Sequence, residues 1–90
     1  MAKKHHVRLE FIEGTSAKQY TLWLEQEGKK FNLVTQWGKI SDDTPEQKVK
    51  NAKPLDQAEA ETLYAKVVGE KMKKGYKPVK GELPDFAKEA

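Results

Sequence analysis

A chain of 90 residues has room for one small domain with a single hydrophobic core, which excludes a substrate cleft between domains. Hydrophobic residues make up 37% of the sequence and charged residues 34%, enough to bury one sheet face and one helix stripe but not to span a membrane. The absence of cysteine excludes disulfides, a zinc ribbon and a thiol nucleophile and favours a reducing compartment, so we expect a cytoplasmic protein.

The net charge of +3 is small, but the positive residues are clustered. Residues 71–80 contain five lysines and no acid: Lys71, Lys73, Lys74, Lys77 and Lys80. Acidic residues gather instead in residues 42–46. We therefore expect one end of the molecule to carry a positive surface, which suits an acidic partner.

Three segments alternate apolar and polar residues as half-buried strands do, and a fourth is shorter and more polar. They are residues 5–13, 18–26, 30–39 and 47–51. Glu27-Gly28, between the second and third segments, predicts a two-residue hairpin turn because glycine accepts the positive φ that such turns need. This turn places Leu24 opposite Phe31, so apolar side chains meet across the hairpin.

One helix is predicted over residues 57–74. Asp56 is placed to cap its first turn, with Glu59 three residues later as in a capping box, and Gly75 stands where a left-handed cap belongs. Apolar residues recur at i, i+3, i+4 and i+7 spacing in Ala60, Leu63, Tyr64, Val67, Val68 and Met72. The expected fold is α+β, a small antiparallel sheet of three to four strands with one long C-terminal helix packed across one face.

The sequence offers no group of residues suited to catalysis or metal binding. The chain contains no cysteine, only Ser16 and Ser41 as serines, and two histidines that are adjacent in one predicted strand. His5 and His6 are neighbours in a strand and point to opposite faces, so they cannot chelate one metal together. We expect no catalytic residue, no metal and no cofactor, and therefore a protein that is not an enzyme.

Trp37, Gly38 and Lys39 form the first candidate site. A flat ring beside a cation suits the sugar or base of a nucleotide next to its phosphate, and glycine lets the backbone approach a ligand. In the alternative interpretation Trp37 caps the core, since it shares side-chain parity with Phe31 and Leu33.

Lys71 is the second candidate, because it falls near the middle of the apolar helix stripe. Its stem either reaches a ligand or passes along the helix end, where the ammonium favours the C-terminal dipole. Lys73 and Lys74 follow on the same helix end as ligand contacts or as solvated charges.

Trp23 and Val34 lie on the outer face of the predicted sheet. They form either an exposed apolar patch or a surface that the tail covers through Leu83 and Phe86, and we expect the tail to cover them.

These residues together resemble the WGR domain family. The resemblance is carried by the runs Tyr20-Thr21-Leu22, Phe31-Asn32-Leu33-Val34-Thr35-Gln36-Trp37-Gly38-Lys39-Ile40 and Glu70-Lys71-Met72-Lys73-Lys74-Gly75-Tyr76. It covers about residues 6–77, leaving residues 1–5 as an expected disordered N-terminus and residues 78–90 as a partly ordered tail. WGR domains occur in poly(ADP-ribose) polymerases and in bacterial proteins, where some stand alone.

The resemblance implies that Trp37 stacks on a sugar at a DNA end, that Lys39 contacts the nucleic acid and that Lys71 lies near it. Two positions depart from the family pattern. Lys39 replaces an arginine, which removes the bidentate fork, and Ser41 replaces a glycine before the acidic segment.

We therefore expect a monomeric, non-catalytic module that binds nucleic acid, DNA rather than RNA, at ends or breaks of the kind met in DNA repair. The expected binding residues are Trp37, Gly38, Lys39, Lys71, Lys73 and Lys74. The alternative is an adaptor that holds an acidic protein partner through the basic helix end or the Trp23 and Val34 face. Neither function requires a membrane or a metal.

Overall fold

The computed structural model describes residues 2–41, 43–51, 53–81 and 83–88. The elements are β1 (Ala2–Glu13), β2 (Ser16–Glu27), β3 (Lys30–Lys39), β4 (Glu46–Val49), α1 (Gln57–Lys73), β5 (Lys77–Lys80) and α2 (Asp85–Lys88). Over the described residues the strands form one five-stranded antiparallel sheet in the order β4-β3-β2-β1-β5. The α+β class is confirmed, whereas the expected number of three to four strands is wrong.

The additional strand, β5, lies in the segment that the sequence assigns to the tail. It pairs with β1 at the sheet edge, where Pro78 lies opposite Leu9. Proline has no amide hydrogen to donate to a ladder, so its presence argues against a strand except at such an edge. Because β5 and α2 follow α1, the long helix is not the C-terminal element. At the other end, β1 begins at Ala2, within the predicted disordered segment.

The β2–β3 hairpin turns one residue later than predicted. Glu27 pairs with Lys30, so the turn consists of Gly28, at a φ of 63°, and Lys29. Leu24 consequently lies opposite Leu33, two residues beyond its predicted partner. Because side chains alternate with a period of two, a shift of two leaves every residue on its predicted face.

The hydrophobic core lies between α1 and one sheet face, called here the helix face. Its fully buried members are Val7, Leu9, Leu22, Leu33, Ala60, Tyr64 and Val68. Asp56 caps α1 as predicted, since its carboxylate accepts a hydrogen bond of 2.9 Å from the Glu59 amide. The predicted helix stripe is too long by its last member, because Met72 is 41% exposed, whereas Leu63, in the middle of α1, is partly buried and packs against the core. The last turn of α1 therefore leaves the core.

A β-bulge in β1 separates the two histidines. The register with β2 shifts between Lys4 and Val7, and His5 has a φ of 57°. The His5 ring packs edge-on against Tyr64, whose hydroxyl donates to the His5 carbonyl, whereas His6 stacks on Trp23. The opposite orientation of the two imidazoles is confirmed.

The tail does not cover the outer sheet face as expected. Phe86 packs edge-on against Tyr64 and His5 on the helix face, and Leu83 packs against the same core. Trp23 is covered in part by the His6 ring and is only 3% exposed. The tail instead joins the hydrophobic core on the helix face, where Ala87 is buried.

No helix in the described part of the chain has the length and apolar character that crossing a bilayer requires.

Replacing Leu22 with alanine is expected to lower the free energy of unfolding by about 2 to 5 kcal/mol, because Leu22 is completely buried and the vacated space cannot fully close. Leu63→Ala is the matched control and should cost less, since Leu63 keeps part of its surface in water. Urea denaturation of both variants measures the difference. Equal losses would contradict the assignment of the core face.

Alkaline pH should destabilise the protein through Tyr64. Burial raises the pKa of this phenol above its ordinary value of 10.0. The unfolded chain therefore ionises first, so the contribution of Tyr64 to stability is complete below about pH 10 and is lost as the pH rises further.

Tyr64→Phe should cost about 1 kcal/mol at neutral pH through the lost hydrogen bond. Above about pH 10, its free energy of unfolding should fall less steeply than that of the wild type, by up to about 1.4 kcal/mol per pH unit. Urea titrations across this range test the prediction, and parallel pH profiles would contradict it.

Candidate functional site

The sheet extends past the end of α1, and its helix face continues there as an open shelf. Lys18 lies directly opposite Lys39, and Tyr20 lies opposite Trp37. Residues two apart in a strand share a face, so all four side chains rise from the same side. Like charges opposite each other destabilise a sheet, so the Lys18–Lys39 pair costs free energy that an anion between them would offset.

A pocket of about 460 Å³, the main pocket, opens on this shelf. Its lining residues are Lys18, Gln19, Tyr20, Trp37, Gly38, Lys39, Lys50, Lys71 and Tyr76. No carboxylate of the described residues lines it, although the chain has 14 acidic residues. The ion pair of Arg8 with Glu10 involves none of the lining lysines. The pocket is therefore cationic with aromatic walls.

The end of α1 supplies one side of the main pocket. Gly75 has a φ of 104°, and its amide donates to the Met72 carbonyl while the Tyr76 amide donates to the Lys71 carbonyl, both at 3.1 Å. These two bonds are a Schellman motif, which requires a residue of positive φ and thus favours glycine. The motif turns the chain so that Tyr76 comes back beside Lys71.

Four rings stand side by side across the shelf and are called here the aromatic row. In spatial order they are Trp37, Tyr20, Tyr76 and Phe11. The successive ring centroids are 6.4, 6.4 and 5.5 Å apart, and the first two rings are inclined by only 20°. The row follows the edge of the core, but its ring faces are not coplanar, because Tyr20 and Tyr76 meet edge to face at 73° and Tyr20 is only 5% exposed.

Lys71 lies over this row. Its Nζ is 4.4 Å from the Tyr20 ring centroid and 5.6 Å from that of Tyr76. Burial lowers the pKa of Lys71, and repulsion from Lys74 and Lys50 lowers it further. Keeping Lys71 charged in the folded protein therefore costs free energy, which a bound anion would offset.

The structure brings together most of the predicted binding residues. Trp37, Gly38, Lys39 and Lys71 line the main pocket, and Lys74 lines a depression beside it. Lys73 is not with them, because it lies on another flank of α1. The half-buried ring of Trp37 packs against the core and also lines the pocket.

Sequence reasoning missed Lys18, Lys50, Tyr20, Gln19 and Tyr76 as pocket residues. Lys18 shares side-chain parity with Tyr20, but the predicted hairpin register placed it two residues away from Lys39. Lys50 is brought in by tertiary pairing alone, as its amide donates to the Leu33 carbonyl at 2.8 Å. Tyr76 could have been predicted from the sequence, because it directly follows Gly75, the glycine expected to cap the helix.

Fold and site together define a small binding module with an aromatic, lysine-lined pocket. Within the described segments no three side chains are grouped to hold a metal ion. The chain belongs to the WGR domain family, whose profile matches residues 5–82. WGR domains are binding rather than catalytic domains and are known as nucleic-acid-binding modules of proteins related to poly(ADP-ribose) polymerases. Comparisons with curated proteins and with solved structures give no significant match.

Gly75→Ala is expected to destabilise the protein more than Gly28→Ala. Both glycines have positive φ, which costs alanine about 1 to 2 kcal/mol. A Cβ at Gly28 would meet nothing within 4 Å, whereas one at Gly75 would lie 2.9 Å from the Phe11 ring. Chemical denaturation of the two variants gives the comparison. Equal stability of the two would mean that the turn at Gly75 does not hold the pocket wall in place.

Proposed function

We propose that this protein binds nucleic acid in the main pocket and recognises DNA ends by stacking on Trp37. The observation that carries the proposal is the convergence of Lys18, Lys39, Lys50 and Lys71 on a pocket with aromatic walls and no lining carboxylate among the described residues. Lysines neutralise phosphates, and an aromatic ring accepts the flat face of a sugar or base.

End recognition follows from what a duplex exposes. Inside a continuous duplex each base face is covered by the next pair, so a protein meets phosphates, sugars and groove edges. At an end or a nick one face is open, and a ring such as Trp37 can stack on it. Membership of the WGR family supports the same interpretation, as does the half-exposed position of Trp37 beside Lys39.

The substitution of lysine for the family's arginine at Lys39 removes a bidentate donor. Lys18 lies directly opposite Lys39 and supplies a second positive charge at the same place. We infer that the two ammonium groups hold a phosphate jointly, as point charges rather than as a planar fork.

The adaptor alternative has less support. Trp23 and Val34 are 3% and 1% exposed, so the sheet face that this alternative would offer a partner is already covered. The basic helix end remains open to an acidic protein, which would be held by charge alone. If the protein binds only such a partner, adding DNA should not change the fluorescence emission of Trp37. Tryptophan fluorescence therefore separates the two functions.

The first test uses the two tryptophans as separate reporters. In Trp23→Phe the remaining Trp37 should be quenched by blunt and nicked duplexes and much less by closed circular DNA. In Trp37→Phe the signal from buried Trp23 should hardly change. End binding should weaken by only part of the about 1 to 3 kcal/mol that stacking contributes, because phenylalanine keeps a smaller ring. Circular dichroism verifies that both variants are folded. Equal binding of ends and closed DNA by the wild type would contradict end recognition.

The second test concerns the lysines. If each of the four lysines of the main pocket displaces one counterion, the log–log slope of affinity against salt should be about −3 to −4 on duplex DNA. Lys39→Ala should reduce that magnitude by about one. Lys73→Ala, which removes the same charge from another flank of α1, should leave the slope unchanged. A salt-independent affinity, or equal effects of the two variants, would count against this pocket.

A further inference from the structure

Two smaller depressions adjoin the main pocket. One, the side pocket, has a volume of about 260 Å³ and is lined by Phe11, Lys18, Lys71, Lys74 and Tyr76. The other, the hydroxyl groove, has a volume of about 300 Å³ and is lined by Thr15, Ser16, Ala17, Lys18, Lys39 and Ser41. The side pocket shares Lys71 and Tyr76 with the main pocket, and the hydroxyl groove shares Lys39 with it. The three depressions are thus parts of one continuous surface.

Among the described residues, Lys18 is the one that lines all three depressions. It is exposed, and it lies between Phe11 of β1 and Lys39 of β3 in the sheet register. Among the described residues no aspartate or glutamate lines any of the three. A polyanion can therefore follow the whole surface and pass Lys18 at its centre.

The aromatic row has more length than a blunt DNA end can use. Trp37 and Tyr20 belong to the main pocket, Phe11 belongs to the side pocket, and Tyr76 is common to both. A blunt end exposes the face of one terminal base pair, which occupies one compartment. The second compartment, with two rings and three lysines, can take a base only if that base is free of its partner and of its neighbours.

We propose that the preferred ligand is a duplex end with an unpaired extension, whose bases occupy the main and side pockets while Lys18 holds the phosphate between them. This inference rests on the proposed function and adds the class of end. The hydroxyl groove continues the path, since Ser16 and Ser41 offer donors to the sugar–phosphate backbone beside Lys18 and Lys39.

The test compares four DNA ligands of one sequence by fluorescence anisotropy: a closed circle, a blunt duplex, the duplex with an extension of about four nucleotides, and the isolated extension strand. Extensions of both polarities are included. We expect at least one extended duplex to bind about fivefold or more tightly than the blunt duplex. The isolated strand should bind more weakly than that duplex.

Lys18→Gln should weaken binding of both ends, because Lys18 also lies opposite Lys39 in the main pocket, but it should weaken the extended duplex more and so remove most of the gain from the extension. Lys18→Arg should retain the gain, because the charge is kept. Lys73→Gln is the matched control and should change neither affinity. Lys18 is exposed, so its variants are expected to fold, and circular dichroism verifies this.

Equal affinity for blunt and extended ends would overturn this inference while leaving the proposed function intact, provided both bind more tightly than the closed circle. Equal losses on all ligands in Lys18→Gln would also overturn it, because Lys18 would then act only as general positive charge. A wild type that binds the closed circle as tightly as either end overturns the proposed function instead. An isolated strand that binds as tightly as the extended duplex would overturn the inference too, because the ligand would then be single-stranded DNA and not a duplex end.

Discussion

The end of α1 is closed by two backbone hydrogen bonds, from Gly75 to the Met72 carbonyl and from Tyr76 to the Lys71 carbonyl. They require the positive φ that Gly75 adopts. In many Schellman motifs the residue after the glycine contacts the side chain of the residue three positions before the C-cap. The C-cap here is Lys74, so the two residues are Tyr76 and Lys71. The cap thereby places a ring and a cation over Tyr20. The wall of the main pocket and the position of the side pocket depend on this one turn.

The shelf collects positive charge at a cost to stability. Five lysines line the main pocket and the side pocket, namely Lys18, Lys39, Lys50, Lys71 and Lys74. Partial burial of Lys71, and its repulsion by Lys74 and Lys50, make the charged form of Lys71 less favourable in the ligand-free protein. The core between α1 and the sheet lies apart from these charges and supports the fold. Binding sites commonly carry such local conflicts, since the groups that a ligand needs are not those that stability favours.

Much of the fold was predictable because its signals are local. Alternation predicted β2, β3 and most of β1, and a short polar strand was expected at residues 47–51 without clear alternation. The cap at Asp56 and the glycine at Gly75 predicted both ends of α1. The hairpin register was wrong by two residues, which the alternation could not detect, since such a shift preserves the faces. The strand β5 was missed because Pro78 argues against a strand wherever the position at the sheet edge is unknown.

By itself the sequence determined the class of fold, the helix ends and the association of Trp37, Gly38, Lys39 and Lys71 with one site. These depend on contacts between near neighbours in the chain or on family motifs. Only the tertiary structure decided that Lys18 and Lys50 join the site, that Lys73 does not, and that Trp23 is covered. Those outcomes depend on which strands pair and in which register, and on which side of α1 faces the sheet. Residues far apart in the chain carry no local signal of the distance between them in the fold.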